Sequence, residues 1–292
     1  KYLEKLDKKE RQKILLDYND SIALHYLTGW KYYPHILKFI FWVEGLKIKK
    51  YEKKFLDILN NFSVVSEKDR DFILKNTSSK NKISFYITYT NFIKTEEKEI
   101  NKSEEIRDNY LLFIGNLKYY PNYDGIIYFC KKVWPKIVEK IPSFKFLIIG
   151  NGGEKLKNKF KNLKNVEFLG FVPDIAGYIQ NSFAFISPVR IGAGIQGKIL
   201  EAMSYGKVVF ALEEVVKGIE VFKDKENIIL VQENSSNSWI ENLEYLINNQ
   251  NQKLKIELNA KNTSINYFST EKVGKVYQDI FRDILKISSF NP

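Results

Sequence analysis

Cysteine and histidine are nearly absent from this 292-residue sequence, which holds one cysteine, Cys130, and two histidines, His25 and His35. One thiol makes no internal disulfide and no thiolate cluster, and two imidazoles leave little for a histidine-rich metal site. A disulfide scaffold and a structural zinc site are therefore excluded, and a reducing compartment fits. No apolar run reaches the roughly 18 to 20 residues needed to cross a bilayer. No N-terminal window joins a basic start, an apolar core and a small-residue cleavage site. Prolines number only 7, while hydrophobic residues make up 44% and charged residues 28% of the chain. That composition argues against disorder, and the length suits two domains of ordinary size, each with its own core.

Basic residues outnumber acidic ones by 46 to 35, a balance of +11. The excess favours anionic lipid, nucleic acid or phosphorylated substrates without choosing among them. Tyrosine (18) and phenylalanine (21) are abundant beside many Lys, Asn and Ile residues. This bias reflects base composition as readily as selection, so neither charge nor aromatic content is weighed as functional evidence.

Between about 111 and 231 short apolar runs alternate with helical segments. LLFIG at 111–115, FKFLIIG at 144–150, VEFLG at 166–170, FAFISP at 183–188, KVVFAL at 207–212 and NIILV at 227–231 lack polar alternation, the pattern of strands covered on both faces. Intervening segments from 123, 153 and 195 are long enough for crossover helices, so the sheet is expected to be parallel and Rossmann-like. Upstream, 49–62 reads as an amphipathic helix, 63–66 as a strand, Glu67 as the start of a helix and 83–89 as a further strand, giving a second α/β unit. The polar run Thr95–Asn109 is the expected linker. The expected division is 1–105 for the first domain, 106–268 for the second, and 269–292 for a helix returning toward the first.

The densest chemical signal is PVRIGAGIQGKILEAM, Pro188–Met203. Gly192, Gly194 and Gly197 follow a strand and precede a helix, so backbone N–H groups and a helix N-terminus can meet a phosphate, with Lys198 and Arg190 offsetting its charge. Glu201 lies about one turn beyond Lys198, where a carboxylate can accept from sugar hydroxyls. The plainer reading makes the glycines tight turns and Lys198–Glu201 a surface pair. Gly115, Asn116, Lys118 and Asn122 follow another strand and suit phosphate, sugar or domain contact, although Asn122 as an N-cap explains much of the pattern. Gly150, Gly152 and Gly153 only weakly resemble a dinucleotide fingerprint, which disfavours hydride transfer. Gly170 and Phe171 end a further strand, where main-chain groups can hold a base, and Asp174 suits a cap of the next helix.

Taken in order, GNLKYYPN, LIIGNGG, GFVPDI and SPVRIGAGIQGKILEAMSYGKVV resemble the nucleotide-sugar-binding half of the large family of retaining GT-B glycosyltransferases that assemble bacterial polysaccharide and lipopolysaccharide (glycosyl transferases group 1). The likeness is closest to its glycine-rich P-x-R-x-G-A-G-x-x-x-K-x-L-E-A-M branch. It covers about 111–270 strongly and extends more loosely upstream. The resemblance implies two Rossmann-like domains facing across a cleft, the N-terminal one incomplete because its first strands precede Lys1. It assigns Glu201 to the nucleotide ribose, Lys198 to the diphosphate, Gly192, Ala193 and Gly194 to sugar or phosphates, Gly170 and Phe171 to the base, and Gly115 and Asn116 to the loop facing the diphosphate. Gly150 joins this donor set. The resemblance also implies that Asp20, in DYNDS, faces the cleft near the acceptor; the plainer reading makes Asp17 and Asp20 ordinary helix-start acids. Two positions depart from the family: Ala193 stands where many members carry a carboxylate toward the transferred sugar, and Asn116 and Lys118 follow the first strand where many carry arginine. Lys118 and Arg190 are the candidate substitutes.

The implied chemistry transfers a glycosyl group from a UDP-, GDP- or other nucleoside-diphosphate sugar to a saccharide or lipid-linked hydroxyl with retention, the leaving phosphate helping to deprotonate the acceptor. No cofactor and no metal is expected. Asp69–Arg70–Asp71 has the spacing of a metal motif but reads as solvated charge. His25 and His35 read as packing residues and Cys130 as a buried small side chain. Alternatives are a non-hydrolysing nucleotide-sugar epimerase and a non-catalytic nucleotide-sugar or polysaccharide-binding module. Nucleic acid is not expected as a partner, because the lysines are scattered. The expected location is cytoplasmic with peripheral contact at the inner membrane. Trp30, Tyr32, Tyr33, Phe39, Phe41 and Trp42 are candidates for that surface or for core.

Overall fold

The computed structural model describes residues 3–75, 83–89, 109–192 and 194–285. The first unit runs α1 (Lys8–Gln12), β1 (Leu15–Asp17), α2 (Ile22–Gly29), α3 (His35–Ile58), β2 (Asn61–Val64), α4 (Glu67–Lys75) and β3 (Ser84–Ile87). Its three strands pair in parallel in the order β1-β2-β3. Leu56, Leu59, Phe62, Val64 and Ile73 form its core.

The second unit starts with β4 (Tyr110–Ile114), α5 (Tyr120–Tyr128), α6 (Trp134–Lys140), β5 (Lys145–Ile149), α7 (Glu154–Lys159), β6 (Val166–Gly170) and α8 (Ala176–Asn181). It continues with β7 (Ala184–Ser187), α9 (Gly197–Ser204), β8 (Val209–Leu212), α10 (Glu213–Val216) and β9 (Ile229–Val231). The helices α11 (Ser236–Asn248), α12 (Gln250–Phe268) and α13 (Thr270–Leu285) follow. Its six parallel strands lie in the order β6-β5-β4-β7-β8-β9.

Alternation along each strand divides the core into two layers. Leu111, Phe113, Phe146, Ile148, Ile186 and Phe210 join Phe129, Trp134 and Trp239 on one face. Leu112, Leu147, Phe185 and Val209 join Leu200, Met203 and Phe268 on the other. A sheet buried on both sides has no use for polar alternation, which is why these strands read as unbroken apolar runs. Between α5 and α6 the helix widens into a π-turn at Phe129–Val133. Pro135 lacks an N–H and its ring presses on the preceding turn, so the extra residue lets a new helix start at Trp134.

Most strands of the second unit are two residues shorter than the sequence reading, and two boundaries in the first unit are displaced. The helix expected over 49–62 spans His35–Ile58, and the strand expected at 63–66 is Asn61–Val64. Leu59 adopts extended geometry while its N–H still donates to Phe55 O, ending the helix. The Asn61 side-chain amide then donates to Gln12 O at 2.8 Å, drawing the chain into the sheet. The boundary near 105, all of Thr95–Asn109 except Asn109, and residues 286–292 of the returning segment lie outside the described residues. Tyr277 on α13 donates to Asp17 Oδ2 at 2.9 Å and Tyr86 on β3 donates to Asp283 Oδ2 at 2.6 Å, so α13 lies against the first unit.

Candidate active site

The sheet order reverses between β4 and β7, the first and fourth strands of the second unit, which are neighbours. In open parallel sheets ligands bind beyond the strand ends at such a reversal. After β4, the Gly115 N–H donates to Ile149 O (2.9 Å), the Leu117 N–H to Asn151 O (2.8 Å) and the Lys118 N–H to Asn116 Oδ1 (3.0 Å), fixing the turn. Asn116 and Lys118 are exposed on it. Gly150 supports this turn from β5. It has φ +142°, and a Cβ there would stand 2.0 Å from Gly115 O, so the close approach of two backbones requires glycine.

The loop after β7 is drawn together by Ser187 Oγ, which donates to Gln196 Oε1 at 2.6 Å. It leads into α9, whose N-cap Gln196 offers its first N–H groups no side-chain acceptor. Lys198 extends from the first turn of α9 to donate to Asn122 Oδ1 and to sit 4.7 Å from the centre of the Phe113 ring. No carboxylate pairs with it among the described residues. Burial without a counter-charge pushes its ammonium down to about 7. Glu201, about one turn on, has its carboxyl raised by burial.

Asn122 is not the helix N-cap. That position is Tyr119, and Asn122 is buried in the first turn of α5. Its amide Nδ2 donates to Asn116 O at 2.9 Å while its oxygen receives Lys198, so one side chain ties the β4 turn to α9. Asp174 serves α8 as expected, though from one position before the N-cap. The cap position is Ile175, and Asp174 Oδ1 accepts from the Ala176 N–H at 2.9 Å.

The first unit brings Asp20 to the same place. Gly194 has φ +74°, and a Cβ on it would meet Val65 Cγ2 at 2.8 Å and Asp20 Cβ at 3.1 Å. The β1–α2 turn carrying Asp20 is held from below: the Ser21 N–H donates to Asp69 Oδ1 (2.9 Å), Ser21 Oγ to Glu52 Oε2 (2.9 Å) and the Ala23 N–H to Glu52 Oε1 (3.0 Å). Asp69 is therefore not solvated charge. It is fully buried, also accepts from Ser66 Oγ, and braces the turn; only its neighbours Arg70 and Asp71 pair at the surface. Burial, and secondarily the charge of Asp69, push the Asp20 carboxyl up to about 6.

Arg190, expected to offset phosphate charge, is already committed to carboxylates. It donates to both oxygens of Asp124 (3.0 and 2.7 Å) and to Glu233 (3.3 Å), between the rings of Tyr32 and Tyr128 at 4.6 and 4.9 Å. Tyr32 from the first unit donates to Glu233 at 2.6 Å, so the cluster also joins the two units. Beside it, adjoining Gly192, a cavity of about 540 Å³ lies between Thr28, Lys31 and Lys68 on one side and Glu214 and Glu233 on the other.

Gly115, Asn116, Lys118, Lys198, Gly194 and Asp20 thus surround the strand reversal. Gly170 and Phe171 lie at the end of β6, two strands from β4, where Phe171 is 69% exposed and no atom stands within 4 Å of the Cβ position of Gly170. Ala193 lies outside the described residues. Sequence reasoning missed Asp124, Glu233 and Gln196 and the bridging role of Asn122, whose partners are remote in the chain. His25 packs edge-on to Tyr26 at 5.8 Å, and the Cys130 thiol is buried and pushed up to about 12.

Residues 108–249 match the glycosyl transferases group 1 family. This segment carries both loops of the strand reversal. An uncharacterised glycosyltransferase of Haemophilus influenzae is 26% identical over 185 residues, 62% of this chain and 51% of the relative. The chain spans about half the length of the curated relatives it matches. Sucrose-phosphate synthase of Thermosynechococcus elongatus superposes with a TM-score of 0.67 at 14% identity, over 94% of this chain and 68% of that one. HepE of Anabaena, solved in complex with UDP, gives 0.64 at 15% identity over 94% and 72%. These likenesses identify the fold as that of GT-B glycosyltransferases.

Proposed function

We propose that the chain binds the donor of a metal-independent, retaining glycosyltransferase that moves a hexosyl group from a nucleoside-diphosphate sugar to a saccharide or lipid-linked hydroxyl in polysaccharide or lipopolysaccharide assembly. The observation that carries this reading is Lys198: a half-buried ammonium at a helix start, at the strand reversal, held by an amide oxygen rather than a carboxylate. Such a group lacks a counter-anion, and a diphosphate supplies one. Gly115, Asn116 and Gly194 bring main chain to the same point, Lys118 adds charge at its rim, and Glu201 is placed one turn on for the ribose. Gly170 and Phe171 offer the base an open edge.

The transfer needs no protein nucleophile. The leaving diphosphate, stabilised by Lys198 and the loop amides, takes the acceptor proton on the face it departs from. Asp20 stands across from Gly194 to orient the acceptor hydroxyl. Arg190 holds the loop through Asp124. The UDP complex of HepE makes UDP the first nucleotide to test, followed by GDP. Calorimetric titration of UDP, GDP and their sugars is expected to show binding of one nucleotide series that Lys198→Ala weakens. No binding of any nucleoside diphosphate overturns the proposal. Binding without transfer to any saccharide or lipid-linked acceptor limits it to the donor step.

A further inference from the structure

Helix α3 has two unlike faces. Inward, Phe41 packs between Tyr26 and Tyr33, at 5.3 and 4.0 Å between ring centres, while Glu52 and Leu56 are buried. Tyr32 is taken by Glu233 and Tyr33 stacks on Tyr120 at 4.5 Å. These aromatics are domain contacts. Outward, Ile36, Phe39 and Ile40 are 81%, 67% and 47% exposed, spaced as one face of a helix. Trp30 and Trp42 flank them, also exposed.

The same line continues into charge. At about 100° per residue, positions 36, 39, 40, 47, 50 and 54 fall within about 60° of one direction, so the outer face is apolar in its first turns and then carries Lys47, Lys50 and Lys54. All three lysines are exposed. The helix holds six lysines and three acids. Of these acids, Glu44 pairs with Lys47 at 2.7 Å, Glu52 turns inward to Ser21, and Asp57 follows Lys54 on the outer face. Lys47, Lys50 and Lys54 against Glu44 and Asp57 still leave that face positive.

An apolar tip continuous with a basic stripe fits one kind of partner. A nucleic acid matches the lysines but leaves Ile36, Phe39 and Ile40 in water. A second copy packed tip against tip about a two-fold axis covers the apolar residues but brings the lysines no anionic partner. An anionic bilayer satisfies both, with acyl chains for the tip and headgroup phosphates for the stripe. The lysines in the middle of α3 exclude spanning, and no described helix is long and apolar enough to cross a membrane.

We infer that α3 lies in the plane of an anionic membrane surface, with Ile36, Phe39 and Ile40 inserted at the headgroup boundary and Lys47, Lys50 and Lys54 over the phosphates. This holds whatever the site transfers. Co-sedimentation of the full chain with vesicles tests it. Vesicles of phosphatidylcholine with about 30% phosphatidylglycerol are expected to bind at least about tenfold more tightly than pure phosphatidylcholine, and less tightly as salt rises from about 0.1 to about 0.5 M. The triple substitution Ile36→Ser, Phe39→Ser, Ile40→Ser is expected to lower binding at least about tenfold. Circular dichroism and nucleotide binding stay unchanged, because the three side chains are exposed. Lys50→Glu with Lys54→Glu is expected to abolish the preference for phosphatidylglycerol. The inference is overturned if neither vesicle binds, if the triple variant binds like the parent, or if light scattering shows a dimer that the triple variant dissolves.

Discussion

Asn122 joins Lys198 to Asn116: its amide oxygen receives the lysine and its amide nitrogen donates to the Asn116 carbonyl. The two loops of the strand reversal therefore meet through one side chain. If Lys198 receives the donor diphosphate, Lys198→Ala removes a charge-assisted hydrogen bond worth about 1.5 to 3 kcal/mol, a loss of about 10-fold to 100-fold in nucleotide affinity. Asn122→Ala leaves the ammonium without its partner, so it is expected to lower thermal stability as well as affinity. Calorimetric titration beside thermal unfolding separates the two variants.

Nucleotide binding should depend on pH. With its ammonium near 7 in the free protein, Lys198 is charged below neutrality and largely neutral above it. A bound diphosphate favours the charged form, so binding above pH 7 takes up a proton. Affinity is expected to hold below pH 7 and to fall above it by up to about tenfold per pH unit, until the pKa of the complex is passed. A flat profile in Lys198→Met, with a sloping one in the parent, checks the assignment.

Asp20 gives the opposite kind of signal. Its folded carboxyl is raised to about 6, so the folded state holds a proton that the unfolded chain has released. Folding stability is therefore lost through this group as pH rises from about 4 to above 6. Asp20→Asn is expected to raise the unfolding temperature at pH 8, with the gain fading toward pH 4, while transfer is lost. Thermal scans at four pH values, paired with a transfer assay, test both parts.

Two glycines offer a contrast. A Cβ at Gly150 overlaps the Gly115 carbonyl, whereas one at Gly177, inside α8, meets nothing within 4 Å. Gly150→Ala is expected to cost more than about 4 kcal/mol or prevent folding. Gly177→Ala is expected to stabilise by up to about 1 kcal/mol, since alanine is the better helix former. Denaturant titration of both variants checks the pair.

What the sequence revealed follows from the range of the interactions. The inner strands of the six-stranded sheet were legible because burial on both faces leaves an unbroken apolar run, and the partly exposed edge strand Val166–Gly170 emerged with its observed limits. The first half of α3 was not, because HILKFIFWV is apolar around the whole helix and shows no period. Asp69 looked like surface charge because its partner Ser21 lies 48 residues away. Asn122 looked like a cap because its partner Lys198 is 76 residues on. Glycine-rich loops advertise themselves locally, but the side chains that brace them are recognisable only once the chain has folded.

The loop from Pro188 to Gln196 belongs mechanically to both units. A Cβ on Gly29 would strike Ile191 at 2.6 Å, Asp20 lies against Gly194, and Arg190 shares Glu233 with Tyr32. Parting the units strips one wall from the loop and uncouples the guanidinium from a tyrosine ring in the same motion. If the loop holds a ligand, widening the cleft and loosening that grip are consequently one event.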